Sequence, residues 1–357
     1  METSPANLTH DYDVIVIGAG PAGCESALAA AGEGACTLCL AISLDNVGFP
    51  PANPIIAEGP EDRRLALLAE LRSLGGSLPK LLSREIIARE LPGGMLVADR
   101  RNLGLAYKEL LETTDGLEPR QALVTDLETA GGAWRVATRL GEVFHAPAVV
   151  VAAGTFLMGR VEDGKGGGRL GEIPADSLAR SLMSLGHKLV SVSAVNMPRL
   201  DRNSLAVEDG SPRSGDYLFV PDGSQLAEQY MFGPFIQGSF SSQLADIRKI
   251  TGQPGAWVTR PSWSMTCLTL AAGQVDQRLE AAALPGLFFA GRAAGTCNYS
   301  EAAASGRVAG AGAADSAASR GRRPLLTSDH NHISELCERI ARQEDRPVTV
   351  RIEGPGC

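Results

Sequence analysis

The run from Tyr12 to about Gly32 constrains the fold more than any other part of the chain. Tyr12–Ile17 is apolar and largely β-branched, the pattern of a buried strand. Gly18-Ala19-Gly20-Pro21-Ala22-Gly23 follows at once, and Cys24–Ala31 reads as an Ala-rich helix closed by Gly32–Gly34. Ala35–Ile42 is predicted as a second strand, completing a βαβ opening of about 30 residues.

The Gly-x-Gly-x-x-Gly spacing gains meaning because it leaves a strand and opens a helix. Gly18 permits the tight turn, Gly20 lets the backbone approach a pyrophosphate, and Gly23 lets helix pack on strand. The free N–H groups of the first helical turn then face negative charge. Gly18, Ala19, Gly20, Pro21, Ala22 and Gly23 are therefore candidate dinucleotide contacts. The acid expected about 20 residues further on is missing. The second strand ends in Leu40-Ala41-Ile42-Ser43, and the first acid is Asp45. Asp45 either holds a ribose from the loop or is an exposed loop acid.

Further along, Asp45 to Pro60 reads as a Pro-rich loop, and Glu61–Leu74 as a helix ended by Gly75-Gly76. Leu103–Glu112 is predicted to be helical. Gln121–Asp126 and Trp134–Thr138 are predicted as strands about the Gly131-Gly132 turn. Ala148–Ala152 is a fully apolar strand running into Ala153-Gly154-Thr155. Asp163–Gly168 is Gly and charge, and Ala175–Leu185 is a helix. Val190 to Thr259 has strand-like pieces at Tyr217–Val220 and Tyr230–Ile236 among scattered Pro and Gly. Leu287–Ala290 is a buried strand that turns through Gly291-Arg292-Ala293-Ala294-Gly295 into a small-residue helix, Tyr299–Ala318. Ile333–Gln343 is a last helix.

The small residues after Ala152 sit where a chain must pass a bound dinucleotide. The late strand and helix supply a second helix N-terminus, which stabilises negative charge on a reduced flavin ring. Together they favour FAD over a nicotinamide as the primary ligand. Gly154, Thr155, Gly291, Arg292 and Gly295 join the candidate cofactor contacts, as does Val124 in the Gln121–Asp126 strand. The expected class is α/β: a Rossmann-like FAD-binding domain over 10–190 and 270–320, a smaller β-rich inserted domain over 191–269, and a C-terminal tail over 321–357.

Composition limits the alternatives. The 357 residues are 44% hydrophobic and 21% charged, ordinary for a globular chain. A net charge of −8 speaks against nonspecific nucleic-acid binding, although a local basic patch is compatible with it. There is no apolar run of membrane-spanning length and no signal-peptide pattern, so a cytoplasmic protein with reduced thiols and no membrane contact is expected.

Cys36 and Cys39 form a C-x-x-C, but residues three apart on a strand face opposite sides, and both are read as structural. Asp329, His330 and His332 lack a second ligand pair at standard spacing, so no metal site is expected. Arg320-Gly321-Arg322-Arg323 reads as a solvated basic linker, and Cys24 as packing. Cys297, just before the late helix, is either a nucleophile or redox partner of lowered pKa or a small packing residue. Glu301, in the first turn of that helix, serves either catalysis or the helix dipole. Arg292 stands either beside the flavin, favouring its anionic reduced form, or in a surface ion pair.

Three stretches together resemble the GidA/MnmG family: YDVIVIGAGPAGCESALAAA, VVVAAGTFLMGR with the Gly-rich loop after it, and LPGLFFAGRAAGTCNYSEAAASGRVAGAGAA. Weaker matches are the loop from Leu44 to Pro54, ADRRNLGLAYKEL and PRLDRNS. The resemblance covers most of 10–318. It implies an FAD oxidoreductase that installs carboxymethylaminomethyl groups on tRNA wobble uridines, with NADH as reductant and a one-carbon unit from folate. The family carries a cysteine where this chain has Ala52, a second cysteine in a central segment that is shortened near 233–242, and a glutamine in place of Arg292. Its long helical C-terminal region, which engages tRNA and the GTPase partner MnmE, is not matched, so a short family member is expected. Substrate expectations are therefore tRNA or a small molecule, with a small-molecule dehydrogenase or oxidase and a non-catalytic FAD-binding paralogue as alternatives. A homodimer is the expected assembly, if any.

Overall fold

A computed structural model describes residues 9–57, 61–84, 88–91, 95–130, 132–161, 173–206, 217–223, 227–233, 236–319 and 324–342. The Asp163–Gly168 run, Gly131, Arg320–Arg323 and the chain beyond Arg342 fall outside the described residues.

The centre is a five-stranded parallel sheet in the order Leu287–Phe289, Ala148–Val151, Val14–Ile17, Thr37–Ala41, Leu117–Gln121. Val14–Ile17 lies in the middle, with Ile15 opposite Val149 on one side and Leu38 on the other. All four of its residues are buried, as a strand covered on both faces requires. That explains the unbroken apolar run where an alternating pattern would mark a half-exposed strand.

The first helix, Pro21–Gly32, begins directly after the glycine turn with Pro at its start, where a missing N–H costs nothing. The late helix, Tyr299–Ala317, packs along it. The two approach closely because small residues face each other. The Ser26 hydroxyl, 2.8 Å from the Ala22 carbonyl oxygen, also stands 2.9 Å from that of Gly306 and ties the helices together.

The expected strand Gln121–Asp126 is two strands. Leu117–Gln121 is the edge of the parallel sheet, and Val124–Ala130 starts an antiparallel meander with Ala133–Thr138 and Val143–Ala146. The break falls where backbone pairing changes sheets: Ala122 N–H donates to Ala41, while Leu123 accepts from Arg139 N–H. The Asp45 to Pro60 loop is also more ordered than expected, with a 3₁₀ turn at Leu44–Asn46 and a strand, Ile55–Ala57, paired with Met95–Ala98.

The stretch after the fourth parallel strand builds two antiparallel sheets. Leu189–Asn196 pairs with Trp263–Leu270 along its whole length. Leu218–Pro221, Glu228–Phe232, Arg199–Asp201 and Val258–Arg260 form the other sheet. An unexpected helix, Phe240–Thr251, packs Ile247 into that sheet's core; Ser239 caps its start and Gly252, at φ 65°, its end. The last helix, Asn331–Arg342, docks on Glu61–Ser73, where Glu70 accepts from the N–H groups of His332 and Ile333.

Candidate functional site

One large cavity, about 1260 Å³, opens beside the glycine turn. Its wall includes Gly18, Ala19, Gly20, Pro21, Ala22, Val124, Gly154, Thr155, Gly291, Arg292 and Cys297. Gly23, Gly295 and Glu301 are not in the wall.

The three glycines of the turn do different work. Gly18 has φ 107°, and a Cβ there would stand 2.4 Å from the Ala152 carbonyl oxygen. A Cβ on Gly23 would stand 1.7 Å from the Gly18 carbonyl oxygen, so Gly23 serves packing. A Cβ on Gly20 would meet no protein atom within 4 Å. Gly20 is thus bare backbone facing the cavity, with room for something other than protein. As N-cap of the first helix it has no side-chain cap, and the first turn carries no acid. The N–H groups and positive dipole end there suit an anion.

Gly154, at φ 60°, likewise has open space where a Cβ would go. Gly291, at φ 66°, lies against Ala22 across the turn, and its N–H donates to the Ser305 hydroxyl at 3.0 Å. The bare backbone at Gly20 and Gly154 fits a flat, phosphate-bearing ligand of dinucleotide size.

The late helix is capped at its start. The Asn298 side chain accepts from Glu301 N–H at 2.9 Å, and the Glu301 carboxylate accepts from Cys297 N–H at 2.9 Å. This is a reciprocal cap of the capping-box kind, and it satisfies the helix end internally. Glu301 also pairs with Arg339 at 2.7 Å. Glu301 thus caps the helix and pairs, as the structural of its two readings has it. Cys297 is half-buried and lines the cavity, with its carbonyl accepting from Arg292 Nη2 at 3.0 Å. Arg292 thereby braces the turn in front of the late helix.

Asp45 lies at the cavity wall with its side chain 91% exposed and 4.0 Å from Lys108, so it stands at the rim. The loop bearing Ala52 is pinned from both sides. Gly48 N–H donates to Ala19 at 2.8 Å, and Tyr299 Oη donates to the Gly48 carbonyl. Arg100 Nη1 donates to Pro50 at 3.0 Å, and its guanidinium lies 4.7 Å from the centre of the Phe49 ring.

A charged cluster in the same wall was not among the expected site residues. Arg100 meets Asp222 in a buried two-pronged pair, Nε and Nη2 each 2.6 Å from a carboxylate oxygen. Arg199 Nη1 reaches Asp222 at 3.1 Å and Glu228 at 3.3 Å, and Arg260 Nε reaches Glu228 at 3.2 Å. Burial opposes the charge on Arg100, but Asp222 overrides it and raises its pKa. Burial, with Arg100 and Arg260 nearby, lowers the Arg199 pKa. Burial works against ionisation of Glu228, yet Thr259, Arg260 and Arg199 hold its carboxyl below the ordinary range. Arg100 and Arg199 lie in the ADRRNLGLAYKEL and PRLDRNS stretches, the one sequence signal that pointed toward them.

The other candidates have structural surroundings. Cys24 is buried with its thiol 3.3 Å from the Ala19 carbonyl, and Cys36 is exposed while Cys39 is buried. His330 contacts Ser73 through Nε2 at 3.0 Å and Thr327 through Nδ1, and His332 Nδ1 meets Glu70 at 2.8 Å. Both histidines dock the last helix.

The glucose-inhibited division protein A model matches residues 13–229 and 218–321, which span the glycine turn, the charged cluster and the late helix. The chain belongs to the GidA family. The tRNA uridine 5-carboxymethylaminomethyl modification enzyme MnmG of Synechocystis sp. is 28% identical over 98% of this chain and 69% of its own length. The enzyme of the same description from Heliobacterium modesticaldum is 30% identical over 88% of this chain and 62% of its own length. The chain therefore spans about two-thirds of the GidA relatives it matches. GidA from Aquifex aeolicus superposes with a TM-score of 0.83 at 24% identity, over 95% of this chain and 68% of that one, which establishes the shared fold. Among the described residues no helix is long and apolar enough to cross a membrane.

Proposed function

We propose that this GidA-family chain is a cytoplasmic FAD-dependent oxidoreductase that acts in the modification of tRNA wobble uridine. The observation that carries the reading is the convergence of bare glycine backbone, Gly20 and Gly154, on one cavity of about 1260 Å³. The family membership and the printed activity of the MnmG relatives support the substrate class.

FAD, when bound, supplies hydride and electron transfer, with NADH as the proposed reductant. The chain's own residues bind and orient. Gly18–Ala22 and the uncapped start of the first helix hold the pyrophosphate. Val124 and the rim residue Asp45 lie on the nucleoside side. Gly154, Thr155, Gly291 and Arg292 shape the wall for the ring system. Arg292 keeps a positive charge in that wall, which favours an anionic ring. Gly23 and Gly295 act on the backbone path, one by packing and the other by its φ of 97°. Cys297 is the thiol available at the cavity wall, since Ala52 has none to offer. The FAD-binding part is proposed to run over 10–190 and 270–320, and 191–269 to form the inserted unit.

The test is mass spectrometry of tRNA nucleosides from cells with and without the gene. The reading expects carboxymethylaminomethyl-type wobble uridines to fall in the deletion and to return when the chain is supplied. Unchanged wobble uridines would remove tRNA from the account and leave the flavin site standing.

A further inference from the structure

Cys297, in the cavity wall, is tied at both of its backbone groups. Its N–H donates to Glu301 Oε2 at 2.9 Å, and its carbonyl accepts from Arg292 Nη2 at 3.0 Å. The turn before it is held from behind: Thr269 Oγ1 stands 2.7 Å from the Arg292 carbonyl oxygen and 3.1 Å from that of Ala293. Gly291, Arg292, Thr296 and Cys297 all line the cavity. The tie at Glu301 has a second half. Glu301 Oε1 stands 2.7 Å from Arg339 Nη2, which comes from the last helix. One carboxylate therefore joins the last helix to the wall, with Arg339 on one oxygen and the Cys297 N–H on the other.

The two contacts support each other. The Glu301 side chain is 15% exposed and that of Arg339 44%, so the pair is partly shielded from water. A shielded carboxylate that loses its cation turns toward solvent, and the N–H it was holding loses its acceptor. Burial opposes the charge on Arg339, but Glu301 and Cys297 beside it raise its pKa. The last helix is anchored without Arg339. Glu70 accepts from the N–H groups of His332 and Ile333 at its start, and Ile333, Leu336, Cys337 and Ile340 are buried along one face. The docked helix thus presents Arg339 to Glu301 at a fixed place. We infer that Arg339 is a positioning residue of the cavity: through Glu301 it fixes the turn from Gly291 to Cys297 against the ring system of the bound dinucleotide, which makes the last helix a working part of the site. This rests on the flavin reading of the cavity.

The test compares Arg339→Met and Arg339→Lys with Arg342→Met, a change at an exposed side chain of the same helix. Hydrogen–deuterium exchange of the flavin-free, full-length protein reads the turn directly. In Arg339→Met the segment 291–298 should exchange about tenfold faster or more, the loss expected of a hydrogen bond to a charged group, while 331–342 stays protected. Affinity for added FAD, followed by fluorescence titration, should fall by about tenfold. The visible spectrum of the bound flavin should shift as the wall moves. Lysine keeps a cation within reach of Glu301, so Arg339→Lys should recover most of these losses, and Arg342→Met should match the wild type. The inference is overturned when Arg339→Met leaves exchange over 291–298 unchanged, or when Arg339→Lys does no better than Arg339→Met. It is overturned equally when exchange quickens but flavin affinity and spectrum do not move, or when 331–342 loses protection too, since Arg339 then serves the packing alone. A wild type that takes up no FAD refutes the cofactor reading, and exchange in the flavin-free protein then decides by itself whether Arg339 holds the turn.

Discussion

Gly306 of the late helix lies directly on the backbone of Ala22 in the first helix: a Cβ at Gly306 would stand 2.2 Å from the Ala22 carbonyl oxygen. One helical turn on, a Cβ at Gly310 would stand 2.2 Å from the carbonyl oxygen of Ser26. These contacts set the distance between the late helix and the helix whose N-terminus opens on the cavity. Spacing by four keeps both glycines on one face.

Gly306→Ala and Gly310→Ala are therefore expected to destabilise the fold. The clash is with backbone, which cannot rotate aside, so each should cost at least about 1–3 kcal/mol, the range for overpacked cores. Denaturant titration measures it. The control is Ser316→Ala, on the exposed side of the same helix. It should stay within about 0.5 kcal/mol of the wild type, as surface changes do. Wild-type stability in both glycine variants would mean that the helices are further apart than described.

The Arg100–Asp222 pair makes a second prediction. Both side chains are buried; removing Asp222 strips Arg100 and Arg199 of a shared carboxylate, and removing Arg100 leaves Asp222 with the longer Arg199 contact alone. Asp222→Asn or Arg100→Met should each cost about 3–5 kcal/mol. The double variant should recover part of that loss, because the buried Arg199 it leaves still pairs with Glu228. A double-mutant cycle by denaturant titration tests this, and strictly additive losses would contradict it.

The cysteines separate by environment. Cys36 is exposed, while Cys24, Cys39, Cys267 and Cys337 are buried. Site-resolved alkylation of the native protein should modify Cys36 quickly and the four buried thiols only on unfolding. Burial pushes Cys39 and Cys337 up to about 12 from an ordinary 9.0. An unfolded chain ionises these thiols near pH 9 and the folded chain does not. Their contribution to stability is thus complete below pH 9 and is lost as pH rises through about 12. Cys39→Ala should flatten that alkaline limb in a melting series. Native labelling of Cys39 at the rate of Cys36 would overturn the assignment and revive a redox role for the pair.

The glycine turn and its flanking strand and helix were legible because the whole unit is local in the chain. The charged cluster was not, because Arg100, Arg199, Asp222, Glu228 and Arg260 lie on a helix and strands far apart in the chain and meet only in the tertiary fold. The Leu117–Gln121 strand escaped for a different reason. It is a sheet edge, so it tolerates Glu118, Pro119 and Arg120 and lacks the apolar run of its neighbours. The helix Phe240–Thr251 carried its signals, Ser239 before and Gly252 after, but a largely polar face hid its periodicity. Both readings of Glu301 stayed open in the sequence because a first-turn acid is equally suited to catalysis and to the helix end, and the contact that shows it in a cap is to Asn298, three residues earlier.

The most direct test of the cofactor claim is FAD content in the wild type and in Gly20→Ala. A Cβ at Gly20 meets no protein atom within 4 Å, so this variant should fold and melt like the wild type. It should nonetheless lose flavin, because the methyl occupies the space of the pyrophosphate. Released flavin, identified by mass spectrometry after reconstitution with added FAD, is expected to be stoichiometric in the wild type and sharply reduced in Gly20→Ala. A folded wild type that retains no FAD, or a Gly20→Ala protein that binds it equally well, would contradict the account.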